Sequence, residues 1–405
     1  MKKIKTSWFI IRFFFWYLIT KALTVYFRCI PKKKATKDLI YLESLTSDGA
    51  GFNYRAKKWM DLFKQEGWSV ESRFIVPLAD DFFRMTNEQN IHDFLIYSIR
   101  KQLRNIIYAR NFKLVIIRRN LLIFNQYGSL FMERFLASAI HTKILDFDDD
   151  LGCTSNENGK TLFNFILGFE KKHFYKSLKF YDGLITGSEY LKNLASNQRN
   201  DINKKQIVVI PTCVDYTRYS IKSFEGILDR PLTIGWIGGN YNLFLLKKLI
   251  PSLNELYKTY EFTLLVIAGV DHYEFNANFP VVFEKYSLET EISSLLKIDV
   301  GLMPLIDDQV SRGKCGFKLI QYMGLGIPSI GSAITVNKEI IDHSQNGWLV
   351  YDDKDWTSTL KIVFESKHRL KVMGINSRDK IEKKYSFSAH FEAYKNYLEQ
   401  LKMES

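Results

Sequence analysis

Residues 311–330 read SRGKCGFKLIQYMGLGIPSI, and this stretch decides how the rest of the chain is read. A glycine-rich, basic turn runs into a short helical pattern. The pattern stops at Gly324-Leu325-Gly326, and Ile327-Pro328 opens a strand. Lys314, Lys318 and Gln321 stand at i, i+4 and i+7, so they share one face if the helix starts near Lys314. Arg312, Lys314 and Lys318 then crowd the helix N-terminus, where cations oppose the dipole. An anion at that end removes the conflict, which makes the segment a candidate phosphate site.

Working outward, strand and helix signals alternate. Asp38–Leu45 is a buried-strand run ending in the turn Ser47-Asp48-Gly49-Ala50-Gly51. Asn53–Glu66 follows as a helix with Ala56, Trp59, Met60 and Phe63 on one face, closed by Gly67. Further strands are expected at 68–76, 113–118, 143–147, 183–186 and 206–210. A second series lies at 232–237, 262–269, 281–284, 299–304, 328–331 and 347–350, and a long helix at 386–403 ends the chain. This is the text of two tandem α/β units with parallel sheets, joined near Pro211–Tyr219. Ligands in such sheets bind beyond the carboxyl ends of the strands.

The net charge of +13 invites a nucleic-acid reading, but its distribution argues against one. Residues 1–37 hold ten Lys/Arg and no Asp or Glu; taking ten from thirteen leaves +3 for the rest of the chain. No nucleic-acid-binding module stands in that near-neutral body. Apolar residues make up 46% of the chain, enough for real cores. Cys29, Cys153, Cys213 and Cys315 form no CxxC pair and no metal spacing, which fits reduced thiols in cytosol.

Residues 7–30, SWFIIRFFFWYLITKALTVYFRCI, are apolar and aromatic but interrupted by Arg12, Lys21 and Arg28. The charge-free run Phe13–Thr20 is far short of the ~20 residues of a clean membrane span. An in-plane or shallow anchor is expected, with Lys2, Lys3, Lys5 and Lys32–Lys34 on anionic headgroups. The alternatives are a tilted span and a first helix packed on the protein's own body. Five bulky aromatics within ten residues, including Phe9 and Phe13, weigh against the last.

Four segments of the second unit resemble the donor domain of retaining GT-B glycosyltransferases of the group 1, or family 4, type. They are IPTCVD (210–215), IGWIGGNYN (234–242), DVGLMPL (299–305) with the basic turn and helix after it, and VNKEII to NGWLV (336–350). The resemblance implies a GT-B fold: two Rossmann-like parallel-sheet domains facing across a cleft, here with an N-terminal apolar basic helix. With the basic, apolar segment 1–37 read as membrane-associating, the domains expected are an acceptor domain 38–211, a donor domain 212–385 and a C-terminal helix 386–405 packing back on the first domain. Gly238, Gly239 and Asn240 are then donor-binding, as are Arg312, Lys314, Lys318 and Gln321. Asn337 and Glu339 stand against the donor sugar, with helix capping as the alternative, and Gly49 and Gly51 stand on the acceptor side. Two departures matter. The family often has Glu-x7-Glu where this chain has Gly313 and Gln321, and a basic pair where it has Asn240 and Leu245.

No nucleophile or base stands out. Asp148, Asp149 and Arg118 are the candidates for catalysis. Asp146 and Asp148–Asp150 suit metal binding or acceptor positioning, and the tandem-unit organisation favours positioning. Arg118 and Arg119 either orient an acidic acceptor or pair with these aspartates. His92 and His141 are the only histidines considered for catalysis, and neither has a strong context. The expectation is a metal-independent, hexosyltransferase-like enzyme without cofactor on the cytoplasmic face of the membrane. It moves sugar from a nucleotide sugar to a lipid-linked or cell-surface glycan. The rivals are a catalytically silent sugar-nucleotide-binding or scaffold subunit, and a GT-B-like epimerase or glycogen-type polymerase.

Overall fold

The computed structural model describes residues 2–44, 46–76, 78–86, 91–122, 128–153, 168, 172–198 and 206–403. Leu45, the last residue of the first expected strand, lies outside them, as do the side chains of residues 2–6. The chain divides into two compact units, Met1–Pro211 with Phe391–Ser405, and Thr212–His390.

The first unit holds a six-stranded sheet in the order β2-β1-β3-β4-β5-β6, with every pair parallel. The strands are β1 (Lys37–Glu43), β2 (Val70–Phe74), β3 (Phe112–Arg118), β4 (Thr142–Phe147), β5 (Gly183–Thr186) and β6 (Ile207–Val209). Leu114 to Ile117 of β3 are wholly buried, as befits a strand covered on both faces. The expected helix at 53–66 is longer and less regular: Ala50–Phe52 is α-helical, Asn53–Lys57 is a π-helical turn, and Lys58–Gln65 is α-helical again.

Three helices of this unit pack together: α1 (Lys2–Cys29), α2 (Ile91–Ala109) and α3 (Phe131–Ala139). One face of α1 lies on α2 and α3. Phe13 and Tyr17 meet Phe131 at ring separations of 6.0 and 5.5 Å, Phe27 meets Phe135 at 5.8 Å, and Phe9 stacks on His92 at 4.2 Å. The aromatic run therefore has partners inside the chain, contrary to the expectation that it argued against packing on the body.

The second unit repeats the architecture in the order β12-β11-β10-β7-β8-β9, again all parallel. Its strands are β7 (Leu232–Ile237), β8 (Phe262–Ala268), β9 (Val281–Lys285), β10 (Val300–Met303), β11 (Ser329–Ser332) and β12 (Gly347–Val350). Short helices follow several of them: α4 (Glu291–Leu295), α5 (Phe317–Gly324) and α6 (Asn337–Ile340). The last helix, α7 (Phe387–Met403), packs in the first unit from Phe391 onward. There Tyr394 lies edge-on to Trp59, and its hydroxyl is 3.0 Å from that of Tyr41.

A row of small residues, Gly235, Gly301, Ser329 and Gly347, runs in register across β7, β10, β11 and β12. It brings α5 close to the sheet: a Cβ on Gly301 would stand 2.4 Å from the ring of Tyr322. With that ring down on the strands, the Ile237 N–H donates to the Tyr322 hydroxyl at 2.8 Å. One turn earlier on the same face stands Lys318, so Tyr322 fixes where that lysine points.

Candidate functional site

At the carboxyl end of β7 the chain turns through Gly238-Gly239. Neither glycine has a positive φ, so space is what they provide. A Cβ at Gly238 would come within 2.7 Å of both the Lys318 Nζ and the Trp236 ring. Lys318 extends over Trp236, its ammonium 4.2 Å from the ring centroid. Among the described residues it forms no ion pair, the indole face being its compensation. Burial and the neighbouring charge of Lys314 pull its pKa down to about 7. A cation so placed gains from an anion delivered to the strand end.

The helix that carries Lys318 begins later than the sequence pattern suggests. Gly316 has φ +67°, a left-handed conformation, and α5 starts at Phe317. A side chain at Gly316 would also meet Ile340 at 2.5 Å. This corrects the shared-face expectation: Lys314 precedes the helix, in the turn, and only Lys318 and Gln321 ride on it. Arg312 ends a separate short helix (Gln309–Arg312) and is engaged by Asp307 through two hydrogen bonds of 2.6 and 3.0 Å. Both partners are at least half exposed, so the pair is weakly held.

Gln321 is buried, and its Nε2 donates to Glu291 Oε1 at 2.9 Å. Glu291, at the start of α4, is also buried and accepts from the hydroxyls of Tyr286 (2.9 Å) and Tyr219 (3.3 Å). A carboxylate is thus present beside Gln321, supplied by another helix. Asn337 is fully buried. Its Nδ2 donates to the Ser332 carbonyl at 2.9 Å, and its Oδ1 has no partner among the described residues. No side chain caps α6, so capping does not account for Asn337. Glu339 is exposed on that helix. Asn240 holds the turn itself, its Oδ1 accepting from the Gly269 N–H at 2.9 Å.

The first unit has its own charged strand ends. Glu43, Arg118 and Asp146 lie side by side, because the register pairs Glu43 with Arg118 and Arg118 with Asp146. All three are buried, as is Arg55 from the π-helical turn. Arg118 Nε donates to Glu43 Oε2 at 3.0 Å, and Arg55 forks onto Asp146 with bonds of 2.7 to 3.2 Å. Burial pushes Glu43 up to about 7 in spite of Arg118, and raises Asp146 as well. Gly51 lies flat against Arg118, since a Cβ there would stand 2.4 Å from the guanidinium. Gly49 closes the turn, its carbonyl accepting from the Asn53 side chain at 3.1 Å.

Arg119 reaches Asp148 at 3.3 Å and Asp149 at 2.9 Å. Burial opposes ionisation of Asp148, but Arg119, Arg118 and Arg55 hold its pKa below the usual range. Of the two readings of Arg118 and Arg119, the ion-pair one describes the geometry, with the addition that Arg118 takes Glu43. Among the described residues, no group of three or more His, Cys, Asp or Glu could hold a metal ion. His92 stacks on Phe9, and His141 sits beside Lys143 and Lys32.

Sequence reasoning missed Glu43, Arg55 and Glu291. The local signal was Glu43, the one charge inside the apolar run LIYLESL; Arg55 and Glu291 lie among other charged residues and gave none.

Residues 232–365 match the family model for glycosyl transferases group 1. This stretch of the second unit is similar to the group 1 glycosyl transferases. The fold is GT-B, as the solved structures also show. Sucrose-phosphate synthase from Thermosynechococcus elongatus superposes with a TM-score of 0.66 at 14% identity, covering 91% of this chain and 100% of that one. HepE from Anabaena, solved with UDP-glucose, gives 0.64 at 10% identity over 90% and 100%. The lipopolysaccharide outer core galactosyltransferase WaaB gives 0.59 at 15% identity over 90% and 99%. No curated protein matches the chain.

Proposed function

We propose that this group 1 glycosyltransferase moves a hexose from a nucleotide sugar to a lipid-linked or cell-surface glycan, with retention and without a metal ion. The observation that carries the reading is the ammonium of Lys318, unpaired among the described residues, beside the Gly238 turn and on the first turn of α5. The bond from the anomeric carbon to the donor's phosphate oxygen breaks. A bond to the acceptor hydroxyl oxygen forms on the same face, and the hydroxyl proton passes to the leaving phosphate. This needs stabilisation of a departing nucleoside diphosphate more than it needs a protein base. Lys318 and Lys314 supply charge, the helix N-terminus supplies N–H groups, and the open Oδ1 of Asn337 accepts from a sugar hydroxyl. Two structures of the same fold support the reading: HepE, solved with UDP-glucose, and WaaB, a lipopolysaccharide outer core galactosyltransferase.

A nucleotide-sugar panel with a glycan acceptor tests this, reading released nucleoside diphosphate and the anomeric configuration of the product. Turnover with retention supports the proposal. The second reading is a silent sugar-nucleotide-binding subunit, favoured by Gly313 in a family carboxylate position and by a Gln321 amide already given to Glu291. Tight donor binding with no turnover or donor hydrolysis would establish that reading in place of the first.

A further inference from the structure

Helix α1 has two apolar faces, and the described residues cover only one of them. The covered face carries Phe9, Phe13 and Phe27, all under 8% exposed. The other carries Trp8, Ile11, Phe15, Leu18, Val25 and Tyr26, each 57 to 62% exposed. At about 100° per residue these six fall within an arc roughly 100° wide, running some 27 Å along the helix. They form one continuous stripe of large side chains, well beyond the scattered apolar residues of an ordinary surface.

The cations that break up the apolar sequence now have a place. On the same wheel Arg12 stands at one edge of the stripe, and Lys21 and Arg28 at the other. Arg12 is held at its edge by Asp93 of α2. Lys21 lies over the ring of Tyr17 at 4.8 Å. Arg28 and Lys32–Lys34 are exposed at the C-terminal end, Lys2, Lys3 and Lys5 stand at the other, and no acidic residue occurs before Asp38. Trp8 and Tyr26, aromatics with a polar atom, mark the two ends of the stripe.

We infer that this face of α1 seats the protein on an anionic lipid bilayer, with the helix lying in the plane of the surface and remaining docked on α2 and α3. The apolar arc enters the boundary between headgroups and acyl chains, and the flanking cations stay level with the phosphates. Spanning the bilayer would require α1 to leave its partners and carry Arg12 and Lys21 through hydrocarbon. A second copy of the chain is a poor occupant, because pairing two such helices lays one set of basic ends along another. The inference concerns a surface of the first unit, whereas the donor site belongs to the second. It rests on the proposed function only for the idea that the acceptor is found at that membrane.

Flotation of the full-length chain with vesicles tests it. Phosphatidylglycerol-containing vesicles should carry the protein up, pure phosphatidylcholine far less, and about 0.5 M salt, which shortens the screening length, should reduce the difference. The variant Ile11→Ser/Phe15→Ser/Leu18→Ser alters only exposed positions, so its melting temperature should be kept while its bilayer partition falls by about tenfold or more. Equal flotation of variant and parent would overturn the inference, as would indifference to lipid charge. So would a parent dimer that the variant dissociates, because the stripe would then be a protein interface. Resistance of the bound protein to carbonate washing would show a span in place of a surface helix. A chain that floats as expected yet neither binds nor turns over any nucleotide sugar would support the seat and remove the transferase reading.

Discussion

The two sheets treat charge at their strand ends in opposite ways. In the first unit Glu43, Arg118, Asp146 and Arg55 are buried together as two ion pairs, Glu43 with Arg118 and Asp146 with Arg55, while Glu43 Oε1 and one terminal nitrogen of Arg118 have no partner among the described residues. In the second, Lys318 stands at the end of β7 with an indole beneath it and, among the described residues, no carboxylate. Charges paired within the fold hold local geometry, and removing one member leaves its partner desolvated and alone. A cation left over in the fold costs stability and marks where an external anion restores the balance. The contrast separates a supporting site from a binding site before any ligand is considered. Substitutions in each unit would sharpen it or break it.

The largest effect is expected where a buried charge is forked onto its partner. Arg55→Ala leaves Asp146 buried without its fork, and breaking such a pair typically costs about 3–5 kcal/mol. Chemical denaturation should show a loss of that size, with a smaller one for Asp146→Asn, which leaves a neutral amide against the guanidinium. An Arg55→Ala protein as stable as the parent would mean that the pair gives the fold no buried support.

Lys318→Met should act in two directions at once. The free protein should melt higher, because a buried cation with only the Trp236 indole face against it is replaced by an apolar side chain of similar length. Nucleoside diphosphate affinity should fall by about 10- to 100-fold, the scale of a charge-assisted hydrogen bond in a partly buried site. Calorimetric titration and a melt on the same two proteins check both signs. A variant that binds as tightly as the parent would remove Lys318 from the phosphate site.

The pKa of that lysine gives the same argument a pH axis. Burial and Lys314 put it at about 7 in the free protein, against 10.5 ordinarily. Between these values the unfolded chain binds more protons, so this group adds stability as pH rises from about 7 toward 10.5 and penalises the fold below that window. Donor binding requires the ammonium, so affinity should weaken over the same window and binding near pH 8 should take up a proton. Titrations in buffers of different ionisation enthalpy measure the uptake, and Lys318→Met should abolish it.

The sequence is readable where structure is local. Strands such as LTIGWI and FTLLVIAG are largely apolar runs that end at a glycine turn, and they lie within a residue of where the pattern puts them. The site is readable where it depends on a turn next to a strand, as at Gly238. It is misread where a backbone angle decides: the left-handed Gly316 starts the helix after Lys314, and Gly313 beside it is an equally plausible turn residue on paper. It is invisible where register or packing from afar decides. Nothing local says that Glu43 lies beside Arg118, or that Glu291 reaches Gln321 across thirty residues.

Gln321→Glu tests that last contact. The substitution recreates the family's carboxylate, but here it would face Glu291 at the distance of the present 2.9 Å bond. Two carboxylates so close cannot both ionise, and one must hold a proton. We expect a loss of about 1–3 kcal/mol at neutral pH, recovering on acidification as the shared proton is supplied, and no gain in nucleotide affinity. A tighter-binding Gln321→Glu protein would mean that Glu291 yields to the ligand and that the family arrangement is intact underneath.

The smallest effect is expected at Arg312, the residue the sequence pattern ranked beside Lys318. Its guanidinium is forked onto Asp307, and both side chains are at least half exposed. Solvent screens such a pair, so losing it should leave stability within experimental error. If Arg312 stays with Asp307 when donor binds, Arg312→Ala should change nucleotide affinity by less than about threefold, a distant-charge effect damped by salt. If the arginine leaves Asp307 for the diphosphate, affinity should fall as steeply as for Lys318→Met, and Asp307→Ala should tighten binding by freeing it. Titrating the two single variants and the double variant decides between a fixed surface pair and a phosphate ligand held in reserve, because only the second makes their effects non-additive.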